Sequence, residues 1–190
     1  MSNFTDFFPA AGGGGLTPKF QEFNTSGTFT PTQALIDAGG YIEVFLVAGG
    51  GKAYTNTFGA SGGEAFLKRM YLTSTTGCTV TIGAGATVYL GSDSSFAGSS
   101  AGGVDLNATA GDGDASGSNG VNKLSASWPG YNSSGSGGNG FFGYGAGGSS
   151  TNVLGIKNPK ANSGQGGGNA GAGGAATDGG SGYCLIKWFE

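Results

Sequence analysis

"SGQGGGNAGAGGAATDGGSGYCLIKWFE" spans Ser163 to Glu190. A glycine-laden run with almost no apolar side chain leads directly into nine residues that read as a strand. In "GYCLIKWFE", Cys184, Ile186 and Trp188 fall on one face, as period-two alternation requires of a half-buried strand. The run before it is either a slack tether or part of the folded body, and that choice decides the architecture.

A second strand supplies the means to choose. In "YIEVFLVA" (41–48), Ile42, Val44, Leu46 and Ala48 share one face, while Tyr41, Phe45 and Val47 make the other face apolar too, with Glu43 as the exception. A strand covered on both faces belongs in the middle of a sheet. If 183–190 pairs with it, both ends of the intervening glycine-rich region are pinned, and a closed loop of that length without structure would be exceptional. The sequence therefore predicts an ordered glycine-rich body.

Other strand signals are shorter. "EFNTSGTFTP" (22–31) has a Ser-Gly turn ahead of a Thr/Phe strand. "EAFLKRMYLT" (64–73) suits helix or strand; the "STTG" turn that follows, leading into "CTVTIGAG" with Cys78, Val80 and Ile82 alternating, favours strand. "PTQALIDAGG" predicts one or two helical turns ended by Gly39. From Ala84 onward Gly, Ser, Ala and Asn dominate, interrupted by Val104/Leu106, Val121/Leu124, Trp128-Pro129, Phe141-Phe142, Tyr144 and Val153/Leu154/Ile156, words that a pure linker would not need.

Glycine supplies 44 of 190 residues. Fixing one costs about 0.5–1 kcal/mol more than fixing alanine. Order on this scale needs something only glycine permits. Side-by-side polyproline or polyglycine II strands are such a thing: three residues per turn, no internal hydrogen bonds, and every N–H and C=O directed at a neighbour. Gly168, Gly171 and Gly174 recur at three, as do Gly137, Gly140 and Gly143, but the period then breaks, which excludes collagen.

Composition narrows function. Charged residues are 10% and hydrophobic ones 37%, with 13 Phe, 7 Tyr and 2 Trp, so a modest core is available and charge-driven disorder is not indicated. Net charge is −3, with no basic block to neutralise phosphates, which argues against nucleic-acid binding. Histidine is absent, removing the usual general base and the commonest zinc ligand. No cofactor, metal or catalytic constellation is expected. "GSGGNG" (Gly135–Gly140) fits GxGxxG but neither follows a strand nor opens a helix. "GGGK" (Gly49–Lys52) lacks the first P-loop glycine and the following Ser/Thr. "DGDASG" (Asp112–Gly117) begins like a calcium loop, yet Lys123 stands where the bidentate glutamate belongs, and it reads as a solvated turn. Cys78 and Cys184 read as buried thiols; a bond between them requires their strands to lie side by side. The start has no positive n-region or apolar h-region, and no stretch approaches a transmembrane helix, so synthesis in a cytosol without membrane insertion is expected.

Two regions stand out as candidate contact sites. Phe4, Phe7, Phe8 and Pro9 form an aromatic peptide followed by a hinge, Ala10–Gly15; it reads either as a frayed terminus or as a docking peptide. Trp128, Tyr131, Phe141, Phe142 and Tyr144 sit amid Gly, Ser and Asn. They read either as plugs between glycine layers or as an adaptable binding surface in which rigid rings supply area.

The order of these segments resembles a glycine-rich domain of bacteriophage tail fibres and other virion appendages. "TSGTFTPTQALIDAGGYIEVFLVAGGG" is similar to its opening, "SGGEAFLKRMYLTSTTGCTVTIGAG" to its next pair of strands, "GSDSSFAG" to a Ser-Phe-Gly element, and "GGSGYCLIKWFE" to its terminal strand. The likeness covers about residues 22–190. Val47-Ala48 departs from it where a tryptophan often precedes the glycine run, and 104–162 matches nothing in particular. The resemblance implies an all-β fold, a jelly-roll-like β-sandwich with long glycine-rich loops, carried on a virion and often multimeric. The expected domains are a docking peptide and hinge, 1–15, and the sandwich, 16–190. The expected partners are another virion protein through 1–15, a host surface glycan or outer-membrane protein, and further copies of the chain, a trimer being one arrangement. A purely structural decoration or adaptor protein is the alternative; a free ice-binding or silk-like protein is a third.

Overall fold

A computed structural model describes residues 15–52, 60, 62–101, 105–111, 161–167 and 176–190. Its strands are β1 (Pro18–Phe23), β2 (Gly27–Phe29), β3 (Tyr41–Val47), β4 (Ala65–Tyr71), β5 (Cys78–Thr81), β6 (Ser94–Ala97), β7 (Leu106–Ala108) and β8 (Tyr183–Phe189). They form two four-stranded sheets, ordered β1-β8-β3-β4 and β2-β5-β6-β7, with antiparallel pairing throughout. The fold is all-β, and the single α-helix among the described residues, α1 (Gln33–Asp37), is short.

The two sheets share one core. Ile42, Val44, Leu46, Met70, Cys184, Ile186 and Trp188 come from the first sheet; Phe29, Cys78, Val80, Phe96, Leu106 and Ala108 come from the second. Phe29 joins them, its ring edge-on to Trp188 at 5.3 Å and tilted against Phe96 at 6.4 Å. β3 is central and covered on both faces: Ile42, Val44 and Leu46 enter this core, while Phe45 and Val47 pack with Tyr183 on the far side. Residue 183 onward pairs with it in register, Val44 opposite Ile186 and Leu46 opposite Cys184.

The helix is built from local signals. Thr32 caps it, its hydroxyl accepting from Leu35 N at 3.1 Å. Its end is a Schellman turn: Gly39 N donates to Ile36 O and Gly40 N to Leu35 O. Gly39 and Gly40 take φ of 101° and 70°, conformations that other residues rarely adopt. Leu35 drops fully buried into the core.

Cys78 lies in β5 and Cys184 in β8, in different sheets, and both are free and buried. Burial pushes the Cys184 thiol up to about 12. It also raises that of Cys78, whose Sγ is hydrogen-bonded to Ser100 Oγ.

The outer strands of the first sheet carry inward-facing charge. Lys19 on β1 stands opposite Trp188, and Lys68 on β4 opposite Val44, at core-face positions that both leave exposed. A lysine there discourages another strand from adding to the edge.

Candidate functional site

The ends of the strands define two poles. Antiparallel register puts the start of β1 beside the end of β8, with Pro18 opposite Phe189 and the Thr17 and Glu190 backbones exchanging hydrogen bonds at 2.7 and 3.1 Å. The start of β3 and the end of β4 join them, Tyr41 opposite Tyr71. The chain enters the fold at this pole. At the opposite pole β3, β5 and β7 end while β4, β6 and β8 begin, and each continues into or emerges from glycine-rich chain.

There the stretch 48–52 runs through the middle of a bundle held by main-chain bonds. Ala48 N donates to Glu64 O at 3.0 Å, Gly49 N to Ser92 O at 3.0 Å, and Gly50 N to Gly180 O at 2.9 Å. The carbonyls of Gly49, Gly50 and Gly51 accept from Gly111, Ala86 and Gly167 at 2.8, 2.9 and 2.9 Å. Three successive donors thus reach three different segments, and so do three successive acceptors. A β-strand, whose side chains and bonds alternate with period two, lies in a sheet with one neighbour on either side. A backbone of three residues per turn points successive groups in three directions. The surrounding segments bond one another as well: Gly180 N to Gln165 O, Gly179 N to Ala86 O, Gly182 N to Gly83 O and Gly164 N to Ser181 O.

Close approach is what makes glycine necessary. A Cβ on Gly50 would sit 2.0 Å from Gln165 O, and one on Gly179 would sit 1.9 Å from Gly50 O. Short polar side chains tie the rim. Ser94 Oγ accepts from Gly83 N at 2.8 Å, Asp93 Oδ1 accepts from Ala110 N at 2.7 Å, and Glu64 Oε2 accepts from the Thr109 N–H and hydroxyl. Lys52 pairs with Asp178 at 2.7 Å. Among the described residues no buried side-chain polar atom lacks a partner.

This pole also exposes a short apolar loop. Val88 is 66% and Leu90 63% exposed, and Tyr89 between them is also exposed; Lys52 N holds the loop by donating to Tyr89 O at 3.1 Å. Sequence reasoning passed over these three residues as part of the glycine-rich texture. The signal available was three consecutive large apolar residues in a segment with no strand alternation.

At the entry pole the outward face of the first sheet forms a groove of about 330 Å³, lined by Pro18, Lys19, Phe20, Tyr41, Glu43, Lys187, Trp188 and Phe189. Phe20 is 69% exposed on one wall. Tyr41 forms the other wall and meets Tyr71 edge-on at 5.4 Å. Glu43 is held by Arg69 Nε at 2.8 Å. That hydrogen bond raises the Arg69 guanidinium above its ordinary value. Lys187, opposite Glu43 in register, makes no ion pair among the described residues.

Phe4, Phe7, Phe8 and Pro9 lie outside the described residues, and so do Trp128, Tyr131, Phe141, Phe142 and Tyr144 and the Asp112–Gly117 turn. The described residues that flank these segments are placed, however. Gly15 leads into β1 at the entry pole. Gly111 and Ala161, on either side of 112–160, belong to the opposite pole, where Gly111 N donates to Gly49 O and Asn162 N to Ser181 Oγ. No group of three His, Cys, Asp or Glu side chains gathers to hold a metal among the described residues. No protein-family model and no curated protein matches the chain.

Proposed function

We propose that this chain is a virion appendage protein of a bacteriophage, a tail-fibre tip that docks to the particle through residues 1–15 and contacts the host through the segment 112–160. The reading rests on one observation above all: Gly15 lies at one pole, while Gly111 and Ala161 lie at the other. A protein that must bridge two surfaces needs its two contact regions apart, with a stiff body between. The main-chain bundle around 48–52 is such a body; its hydrogen-bond directions support a polyglycine II lattice, and it makes each excursion start from fixed backbone. The finer fold reading, a jelly-roll-like sandwich with long glycine-rich loops, draws support from the first and last strands pairing beside β3.

In this reading Phe4, Phe7, Phe8 and Pro9 engage another virion protein. Trp128, Tyr131, Phe141, Phe142 and Tyr144 meet a host glycan or outer-membrane protein, with Val88 and Leu90 adding apolar area at the same pole. The protein binds without catalysis and needs no cofactor. It associates with further copies of itself, a trimer being the simplest closed form. Inward-facing Lys19 and Lys68 argue that such association does not run through the edges of the first sheet.

Truncating 1–15 is expected to abolish incorporation into particles. Replacing 128–144 with Gly/Ser is expected to leave particles intact and abolish adsorption to host cells. Unchanged adsorption would favour a purely structural adaptor.

A further inference from the structure

We propose that the groove at the entry pole is the resting place of this chain's own N-terminal aromatic segment, which would hold Phe7 and Phe8 against Phe20, Tyr41 and Phe189 until another partner takes them. The groove and the segment match in chemistry. Its walls are ring and proline carbon, Pro18, Phe20, Tyr41 and Phe189; Lys187 and Glu43 bring charge to this face, whereas Lys19, also in its lining, stands at a core-face position. An aromatic peptide finds there the rings against which its own can pack edge-on or offset. The segment "NFTDFFP" (3–9) offers three phenylalanines and one charge, Asp6. Arg69 already occupies Glu43 and Glu190 lies 3.9 Å from Lys19, so Lys187 is the cation left for that carboxylate.

Position favours the same occupant. Pro18 lines the groove, and Phe8 lies ten positions before it, at most about 36 Å of chain. Ala10–Gly15 between them carry no side chain larger than a methyl, so the chain can double back over β8. A tether of this length gives an effective concentration of about millimolar, well above that of a second copy in dilute solution. Occupation in cis would also cover the exposed Phe20 ring in the free protein. It goes beyond the particle reading and does not depend on it.

The test uses the full chain. Because Cys78 and Cys184 are buried, a Thr5→Cys variant can be spin-labelled at the new thiol alone. Loss of amide signal by paramagnetic broadening is expected at residues 19–20, 41–43 and 187–189 and not at 83–92. Phe20→Glu, a change at an exposed site, is expected to abolish that broadening, as is Phe7→Ser with Phe8→Ser. Labelled chain mixed with unlabelled isotope-enriched chain separates the sources. Broadening only between molecules would assign the groove to a second copy and overturn the proposal, as would no broadening at these amides in the labelled chain itself. Failure here would leave the incorporation assay on truncated chain unaffected, so the two readings fail separately.

Discussion

Adding one methyl group to Gly50 is the sharpest probe of the main-chain bundle. In Gly50→Ala the new Cβ would stand 2.0 Å from Gln165 O, 2.4 Å from its carbonyl carbon and 2.8 Å from Gly164 O. All three are backbone atoms, so no side chain can rotate away, and the segments must separate by about an ångström to relieve the overlap. Three bonds converge there: Gly50 N to Gly180 O, Ala86 N to Gly50 O, and Gly180 N to Gln165 O, all 2.8–2.9 Å. Each contributes about 1 kcal/mol net, and a buried group left unpaired costs about 1–3 kcal/mol. Alanine returns about 0.4–1 kcal/mol by restricting the unfolded chain. The expected net loss is about 2–4 kcal/mol, a large part of the stability of a typical domain. Gly15→Ala is the control, because nothing lies within 4 Å of its Cβ position; it should be neutral or slightly stabilising. Urea unfolding followed by tryptophan fluorescence measures both. If Gly50→Ala matches Gly15→Ala within about 0.5 kcal/mol, the bundle is not tightly bonded and the stiff-body reasoning fails.

Four further outcomes follow from the same structure. The Glu190 carboxylate accepts from the Thr32 hydroxyl and from Trp188 Nε1 at 3.1 Å, with Lys19 nearby, and these hold it below its usual range. Its contribution is therefore present above the unfolded carboxylate value and lost as pH falls through the folded one; Glu190→Gln should flatten the acid limb of stability against pH. The Cys184 thiol is pushed by burial to about 12, so stability should decline from about pH 9 upward as the unfolded thiol ionises and the folded one does not. A thiol reagent at pH 8 should find neither cysteine until denaturant is added. Replacing both inward lysines, Lys19→Val with Lys68→Val, should shift the chain towards edge-paired oligomers or aggregates in light scattering, and an unchanged particle size would show that those lysines do not guard the edges.

The strands that were legible in the sequence are those whose alternation meets the core. β3, β5 and β8 announce themselves because Ile42, Val44, Cys78, Val80, Cys184 and Ile186 recur at every second place, and β4 follows from the turn beside it. β1 was not legible beyond its last residues. As an edge strand it leaves all but Phe23 exposed, so Lys19 and Gln21 occupy core-face positions without apolar character. β6 and β7 hid in glycine-rich text for a different reason: each is a few residues long and sends few large side chains, Phe96 and Leu106, into the core. The helix was legible from Gly39. Free, buried thiols fit the reading from apolar faces, whereas their placement in different sheets required topology. At the groove, Phe20, Tyr41 and Phe189 are far apart in sequence, and pairing of β1 and β3 with β8 is what assembles them.

The bonds that tie Gly49, Gly50 and Gly51 to their surroundings involve only peptide groups, which every residue shares. Bonds of that kind are indifferent to the spelling of the residues that make them, provided each side chain leaves room for its neighbour. At Gly50 and Gly179, where a Cβ would meet backbone about 2 Å away, the letters that must stay constant are the ones with nothing attached.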